Sequence, residues 1–543
     1  MATQPYPVGP DTSFAAEVFP FSLFGLDQSS HDQRALKLFV VIGTLLLGFT
    51  LYYFTRPSHD LEIVNRSFLL EPSLFARVRW SFGALSILDT ADKKAQGRPY
   101  RLNRGDKELL VLPVALIPEL NRLGPEILDA RQSHAFAFLA HLTGLELTAK
   151  ASYQTRILQR RVSPALPELF LPVAARISKA IKLSLPDSKE WTVIKPLAVA
   201  VPCFSEGMSL VLFGEELVKN PRLIELAYKL TEDLFAVSFI MRLVPAFLQP
   251  IIVWFLPVKW SLNRKWRELE AFIAPEVQRQ TSLKNEGKET LGIDLLSWMI
   301  RDATTSSEKN ASILSTLCGS VATGSIFSVG NLVCQIIADL VAHPNVLNEV
   351  FAEIRSKHIQ INGHWDMLAL SSLEKLDSAM KETARLASSP LLVYSRVVQQ
   401  DCILSGIHLK KGQFITMSGR ERTMDPLLYE DPDIYKGLRF CKPDKIDEHR
   451  NRPFRTVDAN ILTWGAGRAA CPGRAIADMA AKVFLVQLLG NYEFAFVDGK
   501  PLKPSTLHEF IFFDPNSSIL LRRKHDAIGV KFDLSTGEAG NET

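Results

Sequence analysis

The sequence predicts one large, mainly α-helical domain with small β-sheets, placed behind a single N-terminal membrane-spanning helix. No Gly/Ser-rich linker, repeat or low-complexity run divides residues 57–525 of the 543-residue chain, so one domain is simpler than several. The longest apolar segments have the lengths of helices: a run of seventeen uncharged residues ends at Phe54, and a run of about thirty residues ends at His343. Short strand-like runs between turn residues indicate the small sheets.

The uncharged N-terminal segment is expected to anchor the protein in a membrane. Residues 35–54 approach the about 20 apolar residues that cross a bilayer, and they lie too far from Met1 for a cleaved signal peptide. Acidic residues dominate before this segment and arginines after it, which leaves residues 1–34 in the lumen and the large domain, residues 57–530, in the cytosol. Residues 531–543 form a polar tail. The alternative for residues 35–54 is a buried core helix.

Local patterns predict the main elements of the large domain. A long apolar helix runs from about Ser312 to His343 and ends before Pro344, which makes it ~45 Å long at about 1.5 Å per residue. The apolar stretch 234–256 contains Arg242 and prolines, which favour helices lining an entrance at the membrane surface over a second membrane span. The other predicted elements are strands at 107–113 and 391–398, a hairpin at 406–412, and helices at 153–166, 376–386 and 475–481.

Composition excludes several classes of protein. The net charge of +4 comes from interspersed basic and acidic residues, so the chain lacks the clustered basic residues that are typical of nucleic-acid-binding proteins. The six cysteines are scattered without a CxxC pair, which is typical of a reducing compartment. HExxH, Gly-x-Ser-x-Gly and Walker-type motifs are absent from the sequence, which argues against zinc hydrolases, serine hydrolases and nucleotide triphosphatases.

A glycine-punctuated loop contains the most informative residue of the chain, Cys471. The loop reads Trp464-Gly465-Ala466-Gly467-Arg468-Ala469-Ala470-Cys471-Pro472-Gly473-Arg474 and leads into a helix-like run. Glycines let a backbone lie flat against a large planar ligand, and a turn into a helix N-terminus offers the N–H donors that keep a thiolate ionised. A cysteine that binds a heme iron as its axial ligand does so as a thiolate. The alternative is a buried structural cysteine beside a Gly-rich turn.

This loop resembles the heme-thiolate loop of the cytochrome P-450 superfamily, in its fungal-type microsomal form. The residues that match the motif are Trp464, Gly465, Gly467, Cys471 and Gly473. The resemblance implies the cytochrome P-450 fold and a heme b whose iron takes its axial thiolate from Cys471. The family's basic residue two positions before the cysteine is Ala469 here, so Arg468 is expected to cover part of its contact with a heme propionate.

A second motif precedes the loop at a separation similar to the family's. Glu382 and Arg385 lie three residues apart and share one helix face. The resemblance implies that they form a buried salt-bridged triad with Arg439, which locks the core behind the heme.

Further arginines are candidates for heme propionate contacts by the same resemblance. Arg396 matches the strand arginine that often meets a propionate, and its alternative is a surface charge on an edge strand. The helix at 153–166 fits the family's helix that supplies another such arginine. Arg156 and Arg160 are the candidates there, although the family's tryptophan is missing.

The long apolar helix carries the expected oxygen-activation motif. Counting back from His343 places this motif at Gly324-Ser325-Ile326-Phe327-Ser328. Ser328 keeps the hydroxyl that manages protons in the family, whereas Phe327 replaces the usual acid. Thr323 is a competing hydroxyl that is expected on another helix face. The alternative for either hydroxyl is a bond to the carbonyl four residues before it.

The resemblance implies a cytochrome P-450 monooxygenase in the endoplasmic reticulum membrane. Such an enzyme inserts one oxygen atom from dioxygen into a lipophilic small molecule by hydroxylation or epoxidation. The resemblance is to fungal members of the family, which suggests a specialised-metabolite pathway with a terpenoid, indole or polyketide scaffold. The chain has no flavin or nicotinamide motif, so a separate NADPH-cytochrome reductase is implied, with or without cytochrome b5. The alternative, favoured by Phe327, is a heme-thiolate isomerase, dehydratase or ligand-binding protein that needs no reductase.

Overall fold

The computed structural model describes residues 43–44, 61, 63–68, 71–288, 292–387, 389–441 and 452–532. Internal contacts divide the chain into two units, Met1–Asp60 and Leu61–Thr543, and the second contains nearly all described residues. The predicted segments 1–34 and 35–54 lie outside the described residues except for Gly43 and Thr44, which are helical. Most of the predicted polar tail also lies outside them.

The described part of the second unit is mainly helical, as predicted. Its α-helices, several of them single turns, are α1 Ser73–Ala95, α2 Ile117–Leu120, α3 Ala130–Ala137, α4 Ala140–Thr143, α5 Tyr153–Ile157, α6 Leu166–Ser184, α7 Pro196–Leu217, α8 Pro221–Leu243, α9 Gln249–Ile252, α10 Pro257–Asn285, α11 Leu295–Asp302, α12 Ala311–Ala342, α13 Pro344–Gln360, α14 Met367–Ser371, α15 Glu374–Leu386, α16 Arg420–Thr423 and α17 Arg474–Asn491.

Short strands form four small sheets. The strands are β1 Tyr100–Asn103, β2 Glu108–Val111, β3 Leu128–Asp129, β4 Thr192–Ile194, β5 Leu392–Val398, β6 Cys402–Leu404, β7 Ile407–Leu409, β8 Phe414–Ser418, β9 Tyr492–Phe496, β10 Ser505–Leu507, β11 Phe510–Phe512 and β12 Ile519–Arg523. The largest sheet has the order β1-β2-β8-β5-β3 and is antiparallel except between β2 and β8. A three-stranded sheet has the order β4-β12-β9, and β6–β7 and β10–β11 are hairpins. The predicted mainly α-helical domain with small β-sheets is therefore confirmed.

Helix α12 is the long apolar helix that the sequence predicts. The Asn310 side chain caps its start by accepting hydrogen bonds from the N–H groups of Ser312 and Ile313 at 3.0 and 3.2 Å. The helix ends one residue before His343, because Pro344 cannot continue it. It packs against α7, α8, α10 and α17, so it runs through the core of the domain.

Two predicted elements differ from the structure. The hairpin turns at Ser405-Gly406, where both residues have positive φ, so its first strand precedes the predicted range 406–412. The predicted helix 153–166 is broken: α5 ends at Ile157, a π-helical turn follows over Leu158–Val162, and α6 begins at Leu166. The prolines near this break lack the N–H groups that a continuous helix needs.

Two described helices, α7 and α12, are long and apolar enough to cross a membrane. Their most apolar windows are 78% and 56% buried inside the domain, which is typical of core helices. The apolar stretch 234–256 is not one continuous helix, because α8 ends at Leu243 and the single turn α9 follows. Arg242, at the end of α8, is buried.

Candidate active site

A cavity of about 1000 Å³ lies between α12, the start of α17 and the strands β5 and β11. Most of the predicted site residues line it: Trp464, Gly465, Arg468, Cys471, Gly473, Arg396, Ser328 and Thr323. Gly467 and the Glu382–Arg385–Arg439 triad do not line it. The sequence therefore identifies residues that the fold brings together from three separate segments: the cysteine loop, β5 and α12.

The backbone of the cysteine loop is fixed by local hydrogen bonds and by glycine. The N–H of Cys471 donates to the carbonyl of Trp464 at 2.7 Å, and the Trp464 indole donates to the carbonyl of Phe454 at 2.6 Å. Gly467 has a φ of +64°, and a Cβ at this position would collide with the Asn121 side chain. The loop consequently needs glycine here to hold Cys471 at the cavity wall.

Cys471 lies directly before the N-terminus of α17. Burial raises the pKa of its thiol, whereas the N–H groups of Gly473 and Arg474 and the charge of Arg474 act in the opposite direction. These donors would stabilise the thiolate once a cation binds it. Within the described ranges, no group of three or more His, Cys, Asp or Glu side chains is placed to hold a metal ion. A porphyrin supplies the in-plane ligands of its own metal, so a heme iron is compatible with a single protein thiolate at this site.

Arg396 is a buried cation that lines the same cavity. Its side chain is 9% exposed, and its guanidinium stacks on the Tyr394 ring at 3.9 Å and donates to the carbonyl of Ser395 at 2.9 Å. No carboxylate of the described residues lies within ion-pair distance of it, and burial lowers its pKa. Arg468 lies at the surface of the cysteine loop. Two arginines that face one cavity fit the carboxylates of a heme.

The structure does not place the two other candidate arginines in the cavity. Arg156 pairs with Glu308 at 2.9 Å, and Arg160 faces a separate surface pocket. Gln154, from the same helix, lines the cavity instead. It is 7% exposed, and its Oε1 atom has no hydrogen-bond partner in the described part of the chain. The sequence offered no signal for it, because a single amide in a helix matches no motif.

Both predicted hydroxyls of α12 line the cavity. The Oγ atom of Ser328 donates to the carbonyl of Gly324 at 3.0 Å, and the Oγ1 atom of Thr323 donates to that of Ser320 at 2.9 Å. Ser328 is exposed, whereas Thr323 is buried. Thr323 and Ser328 are five residues apart in one helix and lie on different faces, but the cavity reaches both of these faces of α12.

The predicted triad is close together and almost fully buried. Arg385 donates twice to the Glu382 carboxylate at 2.8 Å, and the Nε atom of Arg439 reaches it at 3.0 and 3.2 Å. Arg385 also donates to the carbonyls of Thr423 and Pro432, both at 2.6 Å. These bonds join α15 to α16 and to the segment that follows it, next to the cavity-lining residue Thr383.

An aromatic wall, formed by Phe138, Phe235, Phe327, Phe510 and Phe512, covers another part of the cavity. The Phe235 ring lies at the centre of this wall, with centroid distances of 5.4–6.4 Å to the other four rings. Only Phe327 was singled out by the sequence, because the other rings come from distant segments. This surface suits a lipophilic ligand.

Comparisons with known proteins agree with this geometry. The family model described as Cytochrome P-450 matches residues 163–521. The chain is 27% identical over 471 residues to the cytochrome P-450 monooxygenase terK of Tolypocladium album, which covers 84% of this chain and 88% of that protein. It is 25% identical over 516 residues to the ent-kaurene oxidase of Fusarium fujikuroi, covering 93% and 96%. The heme domain of cytochrome P-450DA has a similar fold, with a TM-score of 0.62 at 16% identity, covering 82% of this chain and 94% of that chain.

Proposed function

The chain belongs to the cytochrome P-450 family, and we propose that Cys471 is the axial ligand of its heme iron. The protein is a cytochrome P-450 monooxygenase, and heme is its cofactor. One observation carries the assignment of the ligand: Cys471, three residues before α17, lines the same cavity as Arg396, a buried cation without a carboxylate partner among the described residues. Residues 57–530 are the proposed heme domain.

The chain's own residues have distinct roles in this proposal. The bound heme supplies the iron that activates dioxygen. The N–H groups of Gly473 and Arg474 stabilise negative charge on the Sγ atom of Cys471. Arg396 and Arg468 hold the carboxylates of the cofactor, and the aromatic wall excludes water from the substrate side.

Ser328 is the proposed residue for proton delivery. Its hydroxyl faces the cavity and donates to a carbonyl of its own helix, so a rotation about one side-chain bond redirects the proton. The neighbouring Phe327 side chain has no ionisable or hydroxyl group and cannot deliver a proton. A heme-thiolate reaction without reductase, such as an isomerisation or dehydration, is the second candidate because of Phe327.

The proposed substrate is a lipophilic scaffold of fungal specialised metabolism: a terpenoid, an indole or a polyketide. The aromatic wall supports this class, since its rings offer broad apolar contact. A relative that covers almost the whole chain is named for the oxidation of ent-kaurene, a terpenoid. Oxygen insertion then proceeds as a hydroxylation or an epoxidation.

The proposed location is the endoplasmic reticulum membrane. Besides the predicted anchor, the described residues expose large apolar side chains on α1, at Phe75 and Phe82, and after α8, at Phe247, Trp254 and Phe255. Arg77 of α1 donates to the carbonyls of Arg242 and Val244, so the two exposed segments are neighbours. A joint apolar surface of this kind favours contact with a bilayer. The electron donor is then the membrane-bound NADPH-cytochrome reductase, with or without cytochrome b5.

Expression with a fungal NADPH-cytochrome reductase tests the proposal. Microsomes containing the full-length chain should show the red-shifted carbon-monoxide Soret band of a thiolate-bound ferrous heme. Lipophilic extracts should contain a new oxygenated product only when NADPH and the reductase are both present. A product that forms without NADPH would support the reductase-independent candidate instead, and absence of the band would refute the assignment of the ligand.

A further inference from the structure

A buried charge cluster adjoins the cavity at a position that the proposed chemistry does not use. Three arginines and two carboxylates form this arginine cluster: Arg77, Arg104, Arg242, Asp106 and Glu509. Arg104 donates to both oxygens of Asp106 at 2.7 and 2.8 Å and to Glu509 at 3.3 Å. Arg242 donates to both oxygens of Glu509 at 3.1 and 2.7 Å. The side chains of the salt-bridged members are at most 12% exposed.

The cluster carries one positive charge in excess, because three guanidinium groups face two carboxylates. Arg77, the third arginine, is 6% exposed and donates only to carbonyls among the described residues. The adjacent His508 does not add a further charge at neutral pH, since burial and then Arg242 lower its pKa to about 4. Burial alone would raise the pKa of Glu509, but Arg242 and Arg104 hold it well below its usual range, so this carboxylate stays charged. A buried excess charge is costly unless another acceptor compensates it.

Arg104 is the member that offers donors to the cavity. A guanidinium has five N–H groups, and the bonds to Asp106 and Glu509 use three of those of Arg104. The remaining two have no partner among the described residues. Arg104 and Glu509 both line the cavity that Cys471 lines, and the Arg104 guanidinium lies 5.3 Å from the ring of Phe136, another lining residue.

The aromatic wall connects this charge to the proposed oxygenation site. Glu509 directly precedes Phe510, whose ring lies 5.9 Å from that of Phe235. The Phe235 ring in turn lies 6.4 Å from that of Phe327, the neighbour of Ser328. One continuous apolar surface therefore runs from the proton-delivery position to the positive end of the cavity.

We propose that Arg104 binds a carboxylate at one end of a lipophilic substrate, whose apolar body lies along the aromatic wall. This inference rests on the proposed function, because the cavity must hold the heme that oxidises the substrate. It narrows the proposed terpenoid, indole or polyketide substrates to those that carry a carboxylate. Glu509 has the opposite effect to Arg104, since its negative charge limits the attraction for the carboxylate.

Two probes of one skeleton test this specificity: dehydroabietic acid and its parent hydrocarbon, dehydroabietane. Each is titrated into the full-length, heme-loaded protein, and the shift of the Soret band gives the dissociation constant. Arg104→Gln should weaken binding of the acid by about tenfold to a hundredfold, the range of a hydrogen bond to a charged group. Glu509→Gln should strengthen binding of the acid, and both variants should leave the hydrocarbon within about twofold.

Charge-balanced and local controls separate specificity from structural damage. The double variant Arg242→Gln/Glu509→Gln restores the wild-type excess of one charge, so the ratio of acid to hydrocarbon affinity should return towards that of the wild type. Arg131→Gln changes a cavity-lining arginine that is paired with Asp129 at 3.1 Å, and should leave the ratio unchanged. Arg104→Lys keeps the charge and should retain most of the preference if Arg104→Gln loses its heme.

The outcomes distinguish this inference from the proposed function. If the wild-type protein shows no red-shifted carbon-monoxide Soret band, the assignment of the heme ligand is overturned, whatever the affinities for the two probes. An intact band with an unchanged affinity ratio in both Arg104→Gln and Glu509→Gln would overturn only the carboxylate site. If both variants bind the acid and the hydrocarbon more weakly by the same factor, the cluster is purely structural, and the carboxylate site is overturned as well.

Discussion

Replacing Arg385 by methionine should destabilise the heme domain through the buried triad. Both Arg385 and Glu382 have fully buried side chains, so the substitution leaves a carboxylate with Arg439 as its remaining side-chain partner. It also removes the donor from the carbonyls of Thr423 and Pro432. Breaking a buried pair in this way costs about 3–5 kcal/mol of unfolding free energy. Arg439→Met keeps the two Arg385–Glu382 hydrogen bonds and should lower the unfolding free energy by about 1.5–3 kcal/mol.

The thermal midpoint gives a measurable form of this cost. An unfolding entropy of about 2.1 cal/mol/K per residue over about 470 residues amounts to about 1 kcal/mol/K, so Arg385→Met should lower the midpoint by about 3–5 °C. The control is Lys219→Met, which breaks an exposed pair with Glu216 whose side chains are 68% and 60% exposed. Such a pair contributes about 0–1 kcal/mol. Equal midpoints for Arg385→Met and Lys219→Met would refute the assignment of a stabilising triad.

Three further predictions follow from α12 and the N-terminus. Ser328→Ala should keep the heme content and the carbon-monoxide spectrum but uncouple NADPH consumption from product formation; the same loss in Thr323→Ala alone would assign proton delivery to Thr323, which also lines the cavity. Burial raises the pKa of Asp339 to about 7. The folded protein therefore binds this proton more tightly than the unfolded chain does. The stability that results is lost as the pH rises from about 4, the ordinary pKa of an aspartate, through 7. Denaturant titrations should accordingly show a smaller loss of unfolding free energy between pH 4 and pH 7 for Asp339→Asn than for the wild type. Deleting residues 1–56 should move heme-loaded protein into the soluble or salt-extractable fraction, and a truncated protein that still pellets as an integral membrane protein would contradict the single-anchor assignment.

Features encoded by neighbouring residues were predictable from the sequence. The ends of α12 follow from the Asn310 cap and Pro344, and the start of α17 follows from the glycine-rich loop. The triad could also be anticipated, since Glu382 and Arg385 share one helix and the resemblance supplied Arg439. These features depend on local backbone chemistry or on a short motif.

Features assembled from distant segments were not predictable in the same way. Phe138, Phe235 and Phe510 meet only in the folded domain, as do Arg104 and Glu509. Helix periodicity separates Thr323 from Ser328, but it does not give the width of the cavity, which reaches both. Periodicity likewise does not tell which face of α5 turns inward: Gln154 lines the cavity, whereas Arg156 and Arg160 do not.

The most direct test of the central claim is the carbon-monoxide difference spectrum of Cys471→Ala beside Cys402→Ala. Cys402 is a matched control, because it is another partly exposed free cysteine and does not line the cavity. Cys471 is the proposed source of the thiolate, so Cys471→Ala should lose the red-shifted Soret band while Cys402→Ala retains it at the wild-type position. A red-shifted band that persists in Cys471→Ala would contradict the assignment of this residue as the axial heme ligand.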